Sequence, residues 1–245
     1  MPNKLYDAVL LYSGGLDSLI AWEYLGRPQR LYVRMGHKYV SAERQALVRS
    51  WGNPVLQGKG DDAIQIEWAF DLADWELPDA KIPARNMILG IAGARRAQSK
   101  VWLVAQRGEM CVPDKTRGFF VEASRMLSRL FERPIAFDTP FADMDKTEMV
   151  AWWLSKGLDA GRLVESWSCY HPVQEGQSKF VECGNCPACM RKFIALELNG
   201  ICQVGHYATA NPRRSDAALT YVRRAREGDF DARRTRRTLK ALVGE

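Results

Sequence analysis

Val9-Leu10-Leu11-Tyr12-Ser13-Gly14-Gly15-Leu16-Asp17-Ser18 is a short apolar run that breaks into a glycine turn. The run reads as a buried strand and the residues after it as the start of a helix. A strand, a Ser-Gly-Gly turn and a helix opening near Asp17 together aim backbone N–H groups at one point. The unpaired amides and the helix dipole both favour an anion there, so the turn reads as a phosphate nest. Gly14 and Gly15 allow positive φ and close approach of a ligand. Ser13 and Ser18 add hydroxyl donors, and Asp17 is suited to a magnesium ion bridging phosphates. A Walker-type loop would end in Gly-Lys-Ser/Thr, which is absent here.

Outward from that turn, strands and helices alternate. Strands are expected at Ala8–Tyr12, Arg30–Arg34 and Val101–Gln106, with weaker extended segments at Pro54–Gln57 and Ala63–Trp68. Helices are expected at Ser18–Leu25, Ala42–Trp51, Ala84–Ala97, Thr116–Leu130 and Lys146–Gly157. Alternation of this length implies an α/β fold with a doubly wound parallel sheet, whose ligands sit at the carboxyl ends of the strands. The segments expected are a nucleotide-binding α/β domain over 1–165, a cysteine-rich segment over 166–210 packed on it, and a basic tail over 211–245.

Four of the six cysteines, Cys169, Cys183, Cys186 and Cys189, fall within 21 residues. Cys-x-x-Cys turns point two thiolates at one centre, and tetrahedral zinc needs four such ligands. Structural zinc is the preferred reading, with an iron–sulfur cluster or thiol chemistry as alternatives. Cys111 and Cys202 have no partners at ligand spacing and are expected to be buried free thiols. The three histidines, His37, His171 and His206, show no ligand spacing and receive no role.

The net charge of +6 is unevenly spread, since residues 211–245 carry ten basic against five acidic side chains. Basic clusters can bind nucleic acid through phosphate, but without a motif or interleaved aromatics a solvated helix face or a subunit contact is preferred. No stretch approaches the roughly 18 apolar residues of a membrane span. The first residues lack the apolar core of a signal peptide, so no membrane partner and a cytoplasmic location are expected.

The Ser13–Ser18 loop resembles the pyrophosphate loop of the ATP pyrophosphatases, which adenylate a substrate and release pyrophosphate. With the cysteine cluster, the chain resembles the 7-cyano-7-deazaguanine synthase (QueC) family in register from Ala8 to about Arg191. The segments that carry the likeness are Tyr12–Ser18, Pro83-Ala84-Arg85-Asn86, Val112-Pro113-Asp114, Asp145-Lys146-Thr147-Glu148, Ser166-Trp167-Ser168-Cys169-Tyr170 and Cys183-Gly184-x-Cys186-x-x-Cys189-x-Arg191.

The resemblance implies an adenine nucleotide alpha hydrolase-like fold with a C-terminal zinc-binding segment. It also implies an ATP-dependent carbon–nitrogen ligase acting on 7-carboxy-7-deazaguanine and ammonia, with ATP, Mg2+ and Zn2+ bound and a homodimer as the assembly many members form. Tyr12, Ser13, Gly14, Gly15, Leu16, Asp17 and Ser18 would hold the nucleotide, with Ser13, Asp17 and Arg85 catalytic. Arg85, Asn86, Asp114, Trp167 and Arg191 would meet the substrate, and Cys169, Cys183, Cys186 and Cys189 the zinc. Two stretches depart from the family pattern. Gln106 and Gly108 stand where carboxylates are expected, with Glu109 a substitute for one, and the usual Gly-Gln-Arg-His is here Gly36-His37-Lys38-Tyr39. A relative that stops at the amide or uses another acceptor is therefore the second reading, and a zinc-containing nucleic-acid-binding protein the third.

Overall fold

The computed structural model describes residues 4–51, 65–68, 71–77, 82–177 and 179–245, and the contacts divide the chain between Asp145 and Lys146. The extended segment expected at Pro54–Gln57 lies outside the described residues.

In the first unit the apolar run becomes β1 (Tyr6–Leu11), with Val9, Leu10 and Leu11 buried on both faces of the sheet. Such two-sided burial is what a central parallel strand requires. After α1 (Leu16–Tyr24) the chain adds β2 (Gln29–Arg34), α2 (Val40–Trp51) and β3 (Gln65–Trp68) on one side of β1. It then crosses to the other side with α3 (Arg85–Arg96), β4 (Ala97–Trp102), α4 (Arg117–Leu130) and β5 (Ala136–Asp138). Among the described residues these strands form one parallel sheet in the order β3-β2-β1-β4-β5. The direction of winding reverses beside β1, which makes the turn after β1 a topological switch point.

Small residues let α3 lie close to the sheet. A Cβ added to Gly93 would fall 2.5 Å from Val101 Cγ1, and one added to Gly90 would fall 3.0 Å from Phe137 Cε1. The core beneath it joins Val9, Leu11, Val33, Ala94, Val101 and Phe137 to Phe120 and Leu127 of α4. Each large side chain buried there contributes about 1.5–3 kcal/mol. Thr116 caps α4 by accepting from the Phe119 amide at 3.0 Å.

One strand expectation needs correction. The strand expected at Val101–Gln106 begins four residues earlier, at Ala97, because the polar Gln98-Ser99-Lys100 stretch pairs along β1 where the sheet meets solvent. Beyond Trp102 the pairing becomes irregular: the Leu103 amide still donates to Asp138 O at 2.9 Å, the Ala105 amide turns to Thr139 Oγ1 at 3.0 Å, and Gln106 keeps an isolated parallel bridge to Phe141. Strand β5, three residues long, was not anticipated.

The second unit contains α5 (Lys146–Ser155), α6 (Ala160–Glu165), an antiparallel hairpin of β6 (Val173–Glu175) and β7 (Lys179–Val181), and α7 (Pro187–Glu197). Helix α7 is apolar almost all round, with Met190, Phe193, Ile194 and Leu196 buried, and it packs against α5 and two further helices. Those are α8 (Asp216–Arg226) and α9 (Ala232–Val243), built from the arginine-rich stretch. Ser215 and Asp231 cap them, and Ala218, Tyr221, Ala225, Phe230, Ala241 and Leu242 form their buried side. Several arginines there face acids within the unit: Arg224–Asp229 at 3.0 Å, Arg226–Glu245 at 2.6 Å and Arg233–Glu148 at 2.5 Å. Among the described residues no helix is long and apolar enough to cross a membrane.

Candidate nucleotide site and four-cysteine centre

The loop after β1 is shaped by Gly14, whose φ is +76°. A Cβ there would fall 2.6 Å from Leu47 Cδ2 of α2, so neither the backbone conformation nor the space admits another residue without strain. Ser18 Oγ donates to Gly15 O at 2.9 Å and lies 3.4 Å from Ser13 Oγ, which also accepts from the Gly15 amide at 3.3 Å. Gly15 precedes the first turn of α1 with no side-chain cap, and Asp17 sits in that turn. The first amides of a helix have no partner within it, so a two-glycine turn flanked by two hydroxyls at a helix N-terminus suits a phosphate chain. Asp17, half-buried, and Ser13, exposed, offer oxygen atoms at this turn that could serve a hard cation.

Helix α3 crosses between parallel strands, which puts its N-terminus at the carboxyl edge of the sheet, the edge that carries the loop. Arg85 is the first residue of α3, half-buried, behind Ala84 in the left-handed region with φ +59°. A non-glycine residue there costs about 1–3 kcal/mol, and such strain tends to gather at functional sites. Asn86 and Asp114 are brought together. The Asn86 amide donates to Asp114 Oδ2 at 3.4 Å, and Asn86 Nδ2 donates to the Asp114 carbonyl at 3.0 Å. Asn86 is buried, so its side chain fixes the turn that carries Asp114. In the stretch that departs from the family pattern, Gln106 is buried and bridges to Phe141, and Glu109 pairs with Lys115 at 2.9 Å. Cys111 and Cys202 are exposed rather than buried, because both lie in connections between elements.

In the second unit the thiols of Cys169, Cys183, Cys186 and Cys189 all lie within 4.8 Å of one another. A tetrahedral site with Zn–S bonds of ~2.3 Å has S–S edges of roughly 3.8 Å, and Cys183 Sγ to Cys189 Sγ is 3.9 Å. The cluster could hold one zinc ion. Backbone amides support the sulfurs: His171 N and Cys183 N donate to Cys169 Sγ at 3.3 Å, and Cys189 N donates to Cys186 Sγ at 3.4 Å. Hydrogen bonds from Cys169, Cys183 and Cys189 draw the Cys186 thiol toward thiolate. Gly184 makes the knuckle possible, since at φ +71° a Cβ would fall 2.4 Å from Thr209 Cγ2. Trp167 is buried with its indole N–H donating to the Cys169 carbonyl at 3.0 Å, and Arg191 donates to the Tyr170 hydroxyl at 3.2 Å.

Sequence reading missed the group that braces this centre. The Lys192 ammonium is fully buried and donates to Val164 O at 2.7 Å, to Ser166 O and to Glu182 Oε2 at 2.6 Å. Glu182 Oε2 also meets His206 Nε2 at 2.7 Å, while its Oε1 accepts from the Ser168 amide. Burial alone would push the Glu182 carboxyl up, yet Lys192 and His206 hold it below the ordinary carboxylate range. The network ties the segment before Cys169 to the residue before Cys183.

The family described as queuosine biosynthesis protein QueC matches residues 46–200, more than half of the chain. The chain belongs to the QueC family. It is 28% identical over 220 residues to a 7-cyano-7-deazaguanine synthase of Marinobacter nauticus, covering 80% of this chain and 94% of that one. It is 27% identical over 220 residues to the enzyme of that name from Novosphingobium aromaticivorans, covering 79% and 91%. It is 27% identical over 225 residues to 7-cyano-7-deazaguanine synthase 1 of Sphingopyxis alaskensis, covering 82% and 97%. QueC membership accounts for a parallel sheet and a four-cysteine cluster occurring on one chain.

Proposed function

We propose that the chain is an ATP-dependent 7-cyano-7-deazaguanine synthase that works in the cytoplasm. The observation that carries the reading is the Ser13–Ser18 loop, turned at Gly14 into the N-terminus of α1 at the switch point of the sheet, in a member of the QueC family. The substrate is 7-carboxy-7-deazaguanine. Its carboxylate attacks the α-phosphorus of ATP, displacing pyrophosphate and leaving an acyl adenylate. Ammonia then displaces AMP to give the amide. Activation of the amide oxygen by a second ATP, followed by loss of AMP and protons, leaves the nitrile.

Charge develops mainly on phosphate oxygens, so catalysis rests on positioning and electrostatics. Gly14, Gly15 and the first amides of α1 cradle the pyrophosphate and Ser13 donates to it, while Ser18, whose proton goes to Gly15 O, holds the loop in shape. Asp17 and Ser13 would hold magnesium, which would supply positive charge to offset that on the phosphates. Arg85 presents a planar fork to phosphate or to the substrate carboxylate. Asp114, set in place by Asn86, accepts from the adjacent N–H donors of the guanine-like edge. Cys169, Cys183, Cys186 and Cys189 hold zinc in a structural role, and Trp167 and Arg191 belong to the segments that this zinc folds.

A label tests the activation step. With 18O in the substrate carboxylate, attack on the α-phosphorus must deliver one label to AMP, and AMP without label sinks the reading. The buried Gln106 and the Glu109–Lys115 pair favour one second reading, in which the chain stops at the amide or passes the adenylate to another acceptor. Labelled AMP accompanied by amide alone, or released only with that acceptor, would select it.

A further inference from the structure

His37 stands in a segment that departs from its family's pattern, and none of the roles above uses it. It is 4% exposed, and its Nε2 lies 3.2 Å from Glu43 Oε2, which also accepts from the Tyr32 hydroxyl at 2.9 Å. Burial, then the charge of Glu43, raises the Tyr32 phenol well above its ordinary range, so it stays a donor. The His37 ring stacks on Tyr39 with centroids 4.0 Å apart. A carboxylate oxygen already accepting from Tyr32 is an acceptor for the ring too, which assigns a proton to Nε2; in a neutral ring the lone pair then falls on Nδ1. That Nδ1 is buried without a hydrogen-bond partner among the described residues, an unfavourable condition that a donor would relieve.

The position of the ring says what brings the donor. Leu11 pairs with Leu31, so the Ser13–Ser18 loop and the Gly36–Tyr39 segment leave the same edge of adjacent parallel strands. The His37 carbonyl accepts from Val40 N at 3.0 Å at the start of α2. Glu43 and Leu47 are four residues apart on α2 and so share a face, and Leu47 is the residue packed against Gly14. Glu43 therefore stands one turn of α2 before Leu47, the residue that meets Gly14 of the cradle. The segment is pinned, since the Leu72 amide donates to Met35 O at 2.9 Å and the Lys38 amide donates to Glu76 Oε2 at 3.0 Å.

We propose that His37 reads the nucleoside half of ATP, its Nδ1 accepting a hydrogen bond from the base amine or a ribose hydroxyl. Phosphate oxygens only accept and cannot satisfy Nδ1, whereas the nucleoside attached to them carries both kinds of donor. The inference rests on the Ser13–Ser18 loop being the ATP site.

Calorimetry on the full chain with Mg2+ tests both separately, using ATP and inorganic tripolyphosphate. His37→Phe keeps the ring and the stack but removes the acceptor. It is expected to weaken ATP about tenfold and leave tripolyphosphate unchanged. Among ATP analogues lacking the base amine, the 2′-hydroxyl or the 3′-hydroxyl, one should lose about tenfold on the wild type and nothing on His37→Phe, which identifies the donor. If the wild type binds neither ligand, the loop reading fails. If it binds both and His37→Phe treats them alike, the inference about His37 fails. Nitrogen NMR of the wild type gives an answer even where the variant does not fold. Nδ1 must be the unprotonated nitrogen and must shift with ATP but not with tripolyphosphate, and a protonated or unmoved Nδ1 overturns the proposal.

Discussion

The Lys192 ammonium sits 2.6 Å from the Glu182 carboxylate, and both side chains are sealed from solvent. With Val164 O and Ser166 O, that carboxylate takes all three ammonium protons. Nothing in this arrangement is left unpaired, which is the condition for a buried charge to be tolerated.

Removing one member should be far worse than removing both. Lys192→Met leaves the buried Glu182 carboxylate with only His206 and the Ser168 amide against it and is expected to cost about 3–5 kcal/mol. The double variant Lys192→Met/Glu182→Gln should recover part of that loss. Chemical denaturation of the zinc-loaded chain measures both, and additive single effects would show that the pair is not coupled.

The loop makes a similar demand at Gly14. Gly14→Ala combines about 1–2 kcal/mol of left-handed backbone strain with a clash against Leu47. In a Leu47→Ala background the clash disappears and only the backbone part should remain. Equal effects of Gly14→Ala in the two backgrounds would show that Leu47 does not crowd the cradle.

Asp17 is assigned to the metal-bearing side of the phosphates, so its loss should affect chemistry and leave the fold intact. Asp17→Asn is expected to lower kcat by about 10²–10³ with little change in melting temperature, on the scale of lost electrostatic stabilisation. Full activity in Asp17→Asn at saturating Mg2+ would remove that role.

The four-cysteine centre should bind about one zinc per chain, and Cys186→Ser should reduce that occupancy sharply. Elemental analysis checks the stoichiometry. Because a structural site contributes its binding energy to folding, stripping the metal should melt the second unit at lower temperature. A second unit indifferent to chelation would contradict a structural role.

How much of this was legible follows from where each feature's information lies in the chain. Ser13–Ser18 and Cys183–Cys189 announce themselves because the chemistry needs its residues at short fixed spacing. The bracing network could not be read, because Lys192, Glu182 and His206 come from three separate segments and each alone is an ordinary polar residue. The polar residues Gln98–Lys100 hid the start of β4, since an edge-ward strand end carries no apolar signal. Strand β5 was too short to show a period. The arginine clusters were legible as a solvated helix face or a subunit contact but not as two bounded helices, in which buried Ala218, Tyr221 and Ala225 of α8 and Thr238, Ala241 and Leu242 of α9 recur at helical spacing among the charges.

The most direct test is an end-point incubation of the purified chain with 7-carboxy-7-deazaguanine, ATP, Mg2+ and ammonium, read by mass spectrometry. The account predicts 7-cyano-7-deazaguanine together with AMP formed at both activations. Absence of any AMP that depends on the 7-carboxy substrate would contradict it.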